Sequence, residues 1–287
     1  MDRRGEAHMQ VWEKIKELFQ MRYVEEPFYF VTTAAVTNVG LRRENNEDNY
    51  YYKHKCLPQI HNEEQAVDTW DFDTGYTHVL AVFDGMGGES AGDLASYTGA
   101  CSFCDHVKRW EKTLDLPSPS EMSDVLNQIS QLVYKRGREH HYRLIGSTAS
   151  MLFLCNNEVV ITDLGDSPMF LLRDNQWSRI SLPHTDENLL RQQGIQRKPG
   201  LTQFLGIDSN EMRLEPYVHR MEIQEGDQFL ICSDGLTDMV TETEIQEVLS
   251  QSDTVQEKVQ KLLEKALSYG GKDNVTIILC EIGEEIR

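Results

Sequence analysis

Acidic residues recur in this chain where predicted strands begin or end. They are Glu47, Asp48, Asp84, Asp166, Asp234 and Asp273. Strand ends are rigid enough to hold side chains as a metal ion requires, and glycines beside three of these acids let backbone carbonyls approach. Oxygen ligands without His or Cys favour magnesium or manganese over zinc or copper.

A single Asp after a strand is usually a turn former that bonds its own backbone. The recurrence of the pattern is harder to explain in that way. If several of these carboxylates converge, their mutual repulsion would be severe without cations to offset it. The pattern therefore indicates a site for two-metal chemistry.

The elements that position these acids follow from the hydrophobic pattern. Strands are predicted at 28–37, 48–55, 78–83, 148–155, 158–165, 168–174, 215–222, 227–232 and 274–282, and helices at 90–111, 121–142, 185–194, 242–250 and 253–268. The polar stretch 56–76 is predicted to be an extended hairpin loop. Strands and helices come in blocks, which favours an α+β fold of antiparallel sheets flanked by helices.

The N-terminal segment carries apolar residues at spacings of three and four over residues 6–22, which predicts an amphipathic helix. No repeat or Pro/Gly-rich linker divides the remainder. We therefore predict a helical extension at 1–27 and one catalytic domain at 28–287.

Composition excludes several classes of protein. The chain has 287 residues and a formal net charge of -19, so nucleic acid is an unfavourable partner. It has no run of about 18 apolar residues and no secretory signal pattern, so we expect no membrane contact and a cytoplasmic location. The six cysteines fit reduced thiols, and the C-x-x-C of Cys101 and Cys104 falls inside a predicted helix, without the second pair that zinc would need.

Seven motifs, in order along the chain, resemble the metal-dependent protein phosphatase family (type 2C), particularly its bacterial members. They are TNVGLRRENNEDN (37–49), VFDGMGGESAGDLAS (82–96), GSTAS (146–150), LGDSPMFLLRD (164–174), LTQFLG (201–206), CSDGLTDMV (232–240) and GGKDNVTIIL (270–279). The resemblance spans nearly all of 33–282. It implies a sandwich of two antiparallel sheets with helices packed outside.

The resemblance also implies a role for each acid. Asp84 bridges two cations, Mn²⁺ or Mg²⁺, and the Gly85 carbonyl completes one shell. Asp234 and Asp273 hold the other ion. Glu47 and Asp48 ligate the metals or orient their waters from the opposite sheet.

Two further roles follow from the same motifs. Asp166, with Asp234, matches a third and looser metal position. Arg43 aligns with the family's phosphate-binding arginine, whose planar fork suits bidentate contact with phosphoryl oxygens. Arg42 is predicted to point to the other face of a strand.

The sequence departs from the family pattern at three points. Pro168 stands where an arginine usually follows the serine, which bears on the third metal position. Met86 stands where many eukaryotic members have a histidine, so the leaving group must be protonated from water or elsewhere. The loop 56–76 and the N-terminal helix are additions.

The resemblance implies hydrolysis of phosphoserine and phosphothreonine in proteins by a metal-activated water, without a covalent intermediate. The expected partners are a phosphoprotein and a cognate serine/threonine kinase, and we expect a monomer. Two alternatives stay open, a catalytically silent binding module and a phosphatase of small phosphoesters. The segment 185–213 is predicted to be a mobile flap that sets substrate choice, with His184 beside it.

Overall fold

The strand runs of the sequence become two antiparallel sheets in the computed structural model, which describes residues 27–87, 91–111 and 113–286. The predicted helix at 6–22 lies outside these ranges. The strands are β1 (Phe28–Asn38), β2 (Asp48–Tyr52), β3 (Lys55–Cys56), β4 (Asp68–Asp73), β5 (His78–Gly87), β6 (Ile145–Ser147), β7 (Ala149–Cys155), β8 (Glu158–Leu164), β9 (Met169–Arg173), β10 (Gln176–Arg179), β11 (Tyr217–Glu222), β12 (Gln228–Cys232) and β13 (Val275–Ile286).

Sheet I has the order β10-β9-β12-β13-β1-β4, and sheet II has the order β11-β8-β7-β5-β2-β3, with β6 paired to the end of β5. The helices are α1 (Gly92–Val107), α2 (Pro119–Glu139), α3 (Glu187–Gln193), α4 (Asp234–Thr237), α5 (Glu242–Leu249) and α6 (Val255–Ser268). No helix within the described ranges is long and apolar enough to cross a bilayer.

The nearly continuous apolar run of β5 reflects burial on both of its faces. Phe83 packs with α1 and α2 on the outside of sheet II, whereas Leu80 and Val82 pack against sheet I. On the far side of sheet I, α5 and α6 cover β1, β12 and β13. The molecule is thus a four-layered sandwich, and the predicted α+β fold is confirmed.

Two of the predicted elements were wrong in detail. The strand predicted at 48–55 is interrupted by a turn, because Lys53 and His54 take positive φ values of 52° and 62° and fold β3 back onto β2. The predicted loop 56–76 contains β4, which pairs with β1 at the edge of sheet I. The alternation of Trp70 and Phe72 with acidic residues is the period-2 signal of this strand.

Candidate active site

The predicted acids meet at one end of the sandwich, around a cavity of about 220 Å³. The cavity is lined by Arg43, Glu47, Asp84, Gly85, Met86, Gly87, Thr148, Asp166, Leu201, Asp234 and Asp273. Seven of the eight residues predicted for the site therefore line it. Asp48 lies behind this wall.

Sheet II supplies Asp84, which lies within β5 rather than at its end, since pairing continues through Gly87 to β6. The Thr148 hydroxyl accepts a hydrogen bond of 2.9 Å from the Asp84 N–H, and the Thr148 N–H donates to the Asp84 carbonyl at 2.8 Å. A Cβ at Gly85 would collide with the carbonyl oxygens of Glu47 and Gly92. Only glycine lets these backbones close around the cavity.

Sheet I supplies Asp234 and Asp273. Asp234 is the first residue of the short helix α4, directly after β12, where the sequence predicted a strand end. Asp273 precedes β13 as predicted. Gly235 allows the two segments to touch, because a Cβ there would collide with the Asn274 carbonyl oxygen.

Asn274 is a positioning residue that the sequence analysis missed. Its side-chain oxygen accepts a hydrogen bond of 2.8 Å from the Glu47 N–H, and its amide donates to the carbonyls of Val39 and Asn45. This amide therefore fixes the loop 39–47, which belongs to neither sheet, against the start of β13.

Glu47 lies between that loop and the beginning of α1. The Gly92 N–H donates to its Oε1 at 3.1 Å, and the Arg43 Nη1 lies 3.8 Å from its Oε2. The contact with Gly92 places the carboxylate at a helix N-terminus, where the helix dipole favours negative charge.

Asp48 bridges the two sheets from inside the core. Its Oδ2 accepts hydrogen bonds of 2.7 Å from the hydroxyls of Ser233 and Thr276, which come from sheet I. Asp48 also lies opposite Asp84 in the β2–β5 register. It is placed to brace Asp84 rather than to face the cavity.

Burial makes these carboxylates reluctant to ionise. It raises the pKa of Asp48 to about 7 and that of Asp166 to about 6. For Asp84, burial and then the charges of Asp48 and Asp234 hold the pKa well above its ordinary value. Burial also raises the pKa of Glu47 and of Asp234. The cluster thus has a deficit of positive charge.

Two basic side chains partly offset that deficit. Arg43 donates from Nη2 to Asp273 Oδ2 at 2.7 Å. Arg42 and Arg43 both lie in the loop 39–47, so the predicted strand alternation of these two residues was wrong.

Lys198 is the second cation, and the sequence analysis missed it. Its ammonium donates to Asp234 Oδ2 at 2.9 Å and to Asp238 Oδ2 at 2.8 Å. It belongs to the predicted flap, which is attached nearby by the bridge between Thr185 and Leu201. Nothing in the spacing of the sequence brings Lys198 to these acids.

The turn between β8 and β9 carries Asp166. With Pro168 in place of an arginine, the nearby guanidinium is that of Arg179 on β10, which donates to the Asp166 carbonyl at 3.2 Å. On the other side of the turn, the His184 ring accepts a hydrogen bond of 3.3 Å from the Gly165 N–H. His184 does not line the cavity and instead braces this turn.

The donor set fits hard divalent cations. The acids around the cavity offer oxygen only. Burial raises the pKa of Glu47, Asp84, Asp166 and Asp234, and nearby cations would favour the ionised forms of these four. Among the described residues, no group of three carboxylates, imidazoles or thiols is arranged closely enough around one point to coordinate a metal ion. Asp234 and Asp273 are instead held by Lys198 and Arg43.

Comparison with known proteins agrees with this geometry. The family model described as Protein phosphatase 2C matches residues 59–268. The serine/threonine phosphatase stp of Listeria monocytogenes is 33% identical over 217 residues, covering 71% of this chain and 84% of that protein. Protein phosphatase PhpP of Streptococcus pneumoniae is 26% identical over 267 residues, covering 88% and 98%.

Solved structures show the same fold. The Mycobacterium tuberculosis serine/threonine phosphatase PstP/Ppp superposes with a TM-score of 0.69 at 25% identity, covering 89% of this chain and 100% of that one. A structure of the PstP catalytic domain in complex with two manganese ions gives a TM-score of 0.68 at 26% identity, with the same coverage.

Proposed function

The chain belongs to the protein phosphatase 2C family and is a protein serine/threonine phosphatase, and from this premise we propose how its cavity performs the reaction. The substrate is a phosphoserine or phosphothreonine ester in a protein. The acids of the cavity would hold two divalent cations, Mn²⁺ or Mg²⁺, which would activate a water for direct attack on phosphorus, and no covalent enzyme intermediate would form.

One observation carries the proposal. Carboxylates from both sheets, Asp84 from sheet II and Asp234 and Asp273 from sheet I, face one small cavity, and burial raises the pKa of Asp84 and Asp234. Such an arrangement is unfavourable for the isolated fold, since like charges are held together away from water. Bound cations would offset the repulsion between these carboxylates, and the manganese in the PstP structure supports this interpretation.

When bound, divalent cations lower the pKa of a coordinated water and offset charge on phosphoryl oxygens. Asp84 would serve both ions, and the carbonyl of the adjacent Gly85, which also lines the cavity, would complete one shell. Asp234 and Asp273 would hold the sheet I side, and Glu47 would orient water from the facing loop 39–47. Asp48 would act from behind the cavity by bracing Asp84. Asp166 would share a third ion with Asp234.

Arg43 is assigned to the phosphoryl group. Its side chain is 47% exposed and stands at the rim of the cavity, where its fork can contact two oxygens at once. To do so it exchanges part of its pairing with Asp273 for the substrate. The described lining contains no imidazole, so the departing serine or threonine oxygen takes its proton from water or from a group other than histidine.

Partners are proposed on the same premise. The relatives named above are serine/threonine phosphatases, which supports a phosphoprotein substrate and a kinase that phosphorylates it. We propose a monomer that acts in the cytoplasm.

The decisive test is hydrolysis of a phosphothreonine peptide and of p-nitrophenyl phosphate in EDTA, Mg²⁺ or Mn²⁺. We expect activity only with metal, and a loss of at least about 10²-fold for Asp84→Ala. Asp71→Ala is the matched control, because Asp71 is an exposed acid on β4. Wild-type turnover in Asp84→Ala would refute the mechanism, and a folded protein inactive with every metal would indicate a silent binding module.

A further inference from the structure

Three sulfurs meet on the outer face of sheet II, where the β2–β3 hairpin touches α1. Cys56 ends β3, while Cys101 and Cys104 are one helical turn apart on α1 and share a face. β3 packs against α1, and Cys56 and Cys104 lie against the same core cluster. In this arrangement the Cys56 thiol interacts with those of both Cys104 and Cys101. The Cys56 backbone N–H also approaches the Cys104 sulfur. Cys56 thus lies with the two cysteines of the C-x-x-C motif, a contact that the spacing of the motif did not predict.

The three thiols are not equivalent. Hydrogen bonds from Cys104 first, and from Cys101, lower the pKa of Cys56 to about 7 against the opposing effect of burial. The same contact raises the pKa of Cys104. The Tyr97 hydroxyl donates to Cys101, whose pKa is nevertheless raised, with burial as the main cause. Cys56 therefore ionises first, and Cys104 retains its proton as a hydrogen-bond donor to it.

Small oxidants can reach this group. Cys101 is exposed and Cys56 and Cys104 are half-buried, whereas Cys155, Cys232 and Cys280 are buried. Burial raises the pKa of the Cys232 and Cys280 thiols, so these two stay protonated and unreactive. Cys232 and Cys280 therefore serve as internal controls, which a small oxidant should leave unmodified.

We propose that Cys56 and Cys104 form an oxidisable dithiol, which closes to a disulfide when the protein meets a hydroperoxide. The thiolate of Cys56 attacks the peroxide oxygen, the O–O bond breaks, and protonation of the leaving oxygen releases water, or an alcohol from an alkyl peroxide. Cys104 then attacks the resulting sulfenic acid at sulfur, and a second water leaves. In sum, two thiols and hydrogen peroxide become one disulfide and two waters.

The new bond would join two elements that begin beside Glu47, which lines the catalytic cavity. The hairpin begins with Asp48, and α1 begins with Gly92, whose N–H holds Glu47. A cross-link between them closes a loop of chain from residue 56 to residue 104 and constrains the unfolded state. We expect the oxidised protein to melt several degrees above the reduced one.

The test is peptide mapping of the whole chain, and it does not depend on phosphatase activity. Reduced protein is treated with hydrogen peroxide, alkylated, and cleaved after glutamate. This cleavage puts Cys56 on fragment 48–63 and the other two thiols on fragment 90–111. We expect the two fragments to be linked with the loss of two hydrogens, and chymotryptic cleavage after Phe103 to assign the bond to Cys104.

Variants separate the roles of the three sulfurs. Cys104→Ser should leave a sulfenic acid on Cys56 that dimedone traps, whereas Cys101→Ser, the matched control, should still form the disulfide. Fragments that remain unlinked in the wild-type protein, a bond to Cys101 instead, or cross-linking only between molecules would overturn the proposal. The wild-type mapping decides the matter even if a variant fails to fold.

Discussion

At the scale of single residues, the acids of the cavity differ more in environment than their shared chemistry suggests. Asp48 is enclosed by hydroxyls, Asp84 by other carboxylates, and Asp234 and Asp273 by side-chain cations. The sequence predicted their identity because each stands next to a strand or a glycine. It could not predict these surroundings, because the partners lie far away along the chain.

Arg43 and Arg42 provide a matched pair for testing phosphate binding. We expect Arg43→Ala to lower kcat/KM for a phosphopeptide by about 10- to 100-fold at saturating Mn²⁺, because a charge-assisted contact to the phosphoryl group is lost. Arg42→Ala should stay within about twofold, since Arg42 is exposed and does not line the cavity. Equal effects of the two changes on steady-state kinetics would contradict the assignment.

The raised pKa values predict how the metal-free protein responds to pH. The folded chain keeps protons on Asp166 and Asp48 up to about pH 6 and about pH 7, whereas the unfolded chain releases them near pH 4. At these two groups the folded state therefore binds more protons in this window, and their contribution to the free energy of unfolding falls as pH rises from about 4 to about 7. Burial lowers the pKa of His78 to about 4, so this histidine contributes in the opposite direction over the same window.

Urea unfolding in EDTA at pH 5, 6 and 7.5 measures this dependence. Asp48→Asn should flatten the profile, since an amide cannot take up the proton. Carboxylates with a lowered pKa, such as Glu244 at about 2, act in the opposite direction only below about pH 4.5. A pH profile of Asp48→Asn parallel to that of the wild-type protein would contradict the role of Asp48, and comparing the two proteins removes the shared contribution of His78.

At the scale of elements, hydrophobic periodicity was sufficient for the strands and helices of the core. It failed for β4 and β10, which lie at the edges of sheet I and bury few side chains, and for β6, which is buried but has only three residues. It also placed Asp234 at the end of a strand, although this residue starts α4. The contacts of Lys198 and Arg179 were missed because their partners, Asp234 and Asp166, are brought close only by the folded chain.

The flap contact through Lys198 predicts a change in metal affinity. Lys198→Ala removes a cation that competes for Asp234, so we expect Mn²⁺ to bind about 3- to 10-fold more tightly. Isothermal titration calorimetry measures this directly. Lys135→Ala, which changes an exposed lysine on α2, is the control. Weaker binding in Lys198→Ala would show that the lysine supports the metal site instead.

At the scale of the whole molecule, net charge predicts which phosphoproteins are preferred. A chain of charge -19 attracts basic segments and repels acidic ones. At low ionic strength we expect phosphothreonine peptides flanked by Arg or Lys to have several-fold higher kcat/KM than peptides flanked by Glu. Salt at about 0.5 M should erase most of the difference, because it screens exposed charges. A preference that persists in salt would indicate specific subsites.

The pairing of β1 with β13 also affects the protein while it is being made. Asn38 lies beside Val275 in the middle of sheet I, about 240 residues apart in the chain. A ribosome adds about 5 to 20 residues per second, so β13 is synthesised roughly 12 to 50 s after β1. Asp273 is synthesised just before that partner, so the nascent chain has no complete acid cluster until the last sheet I strand emerges. Until β13 is available, the edge of β1 that will pair with it is exposed and can pair with a wrong strand.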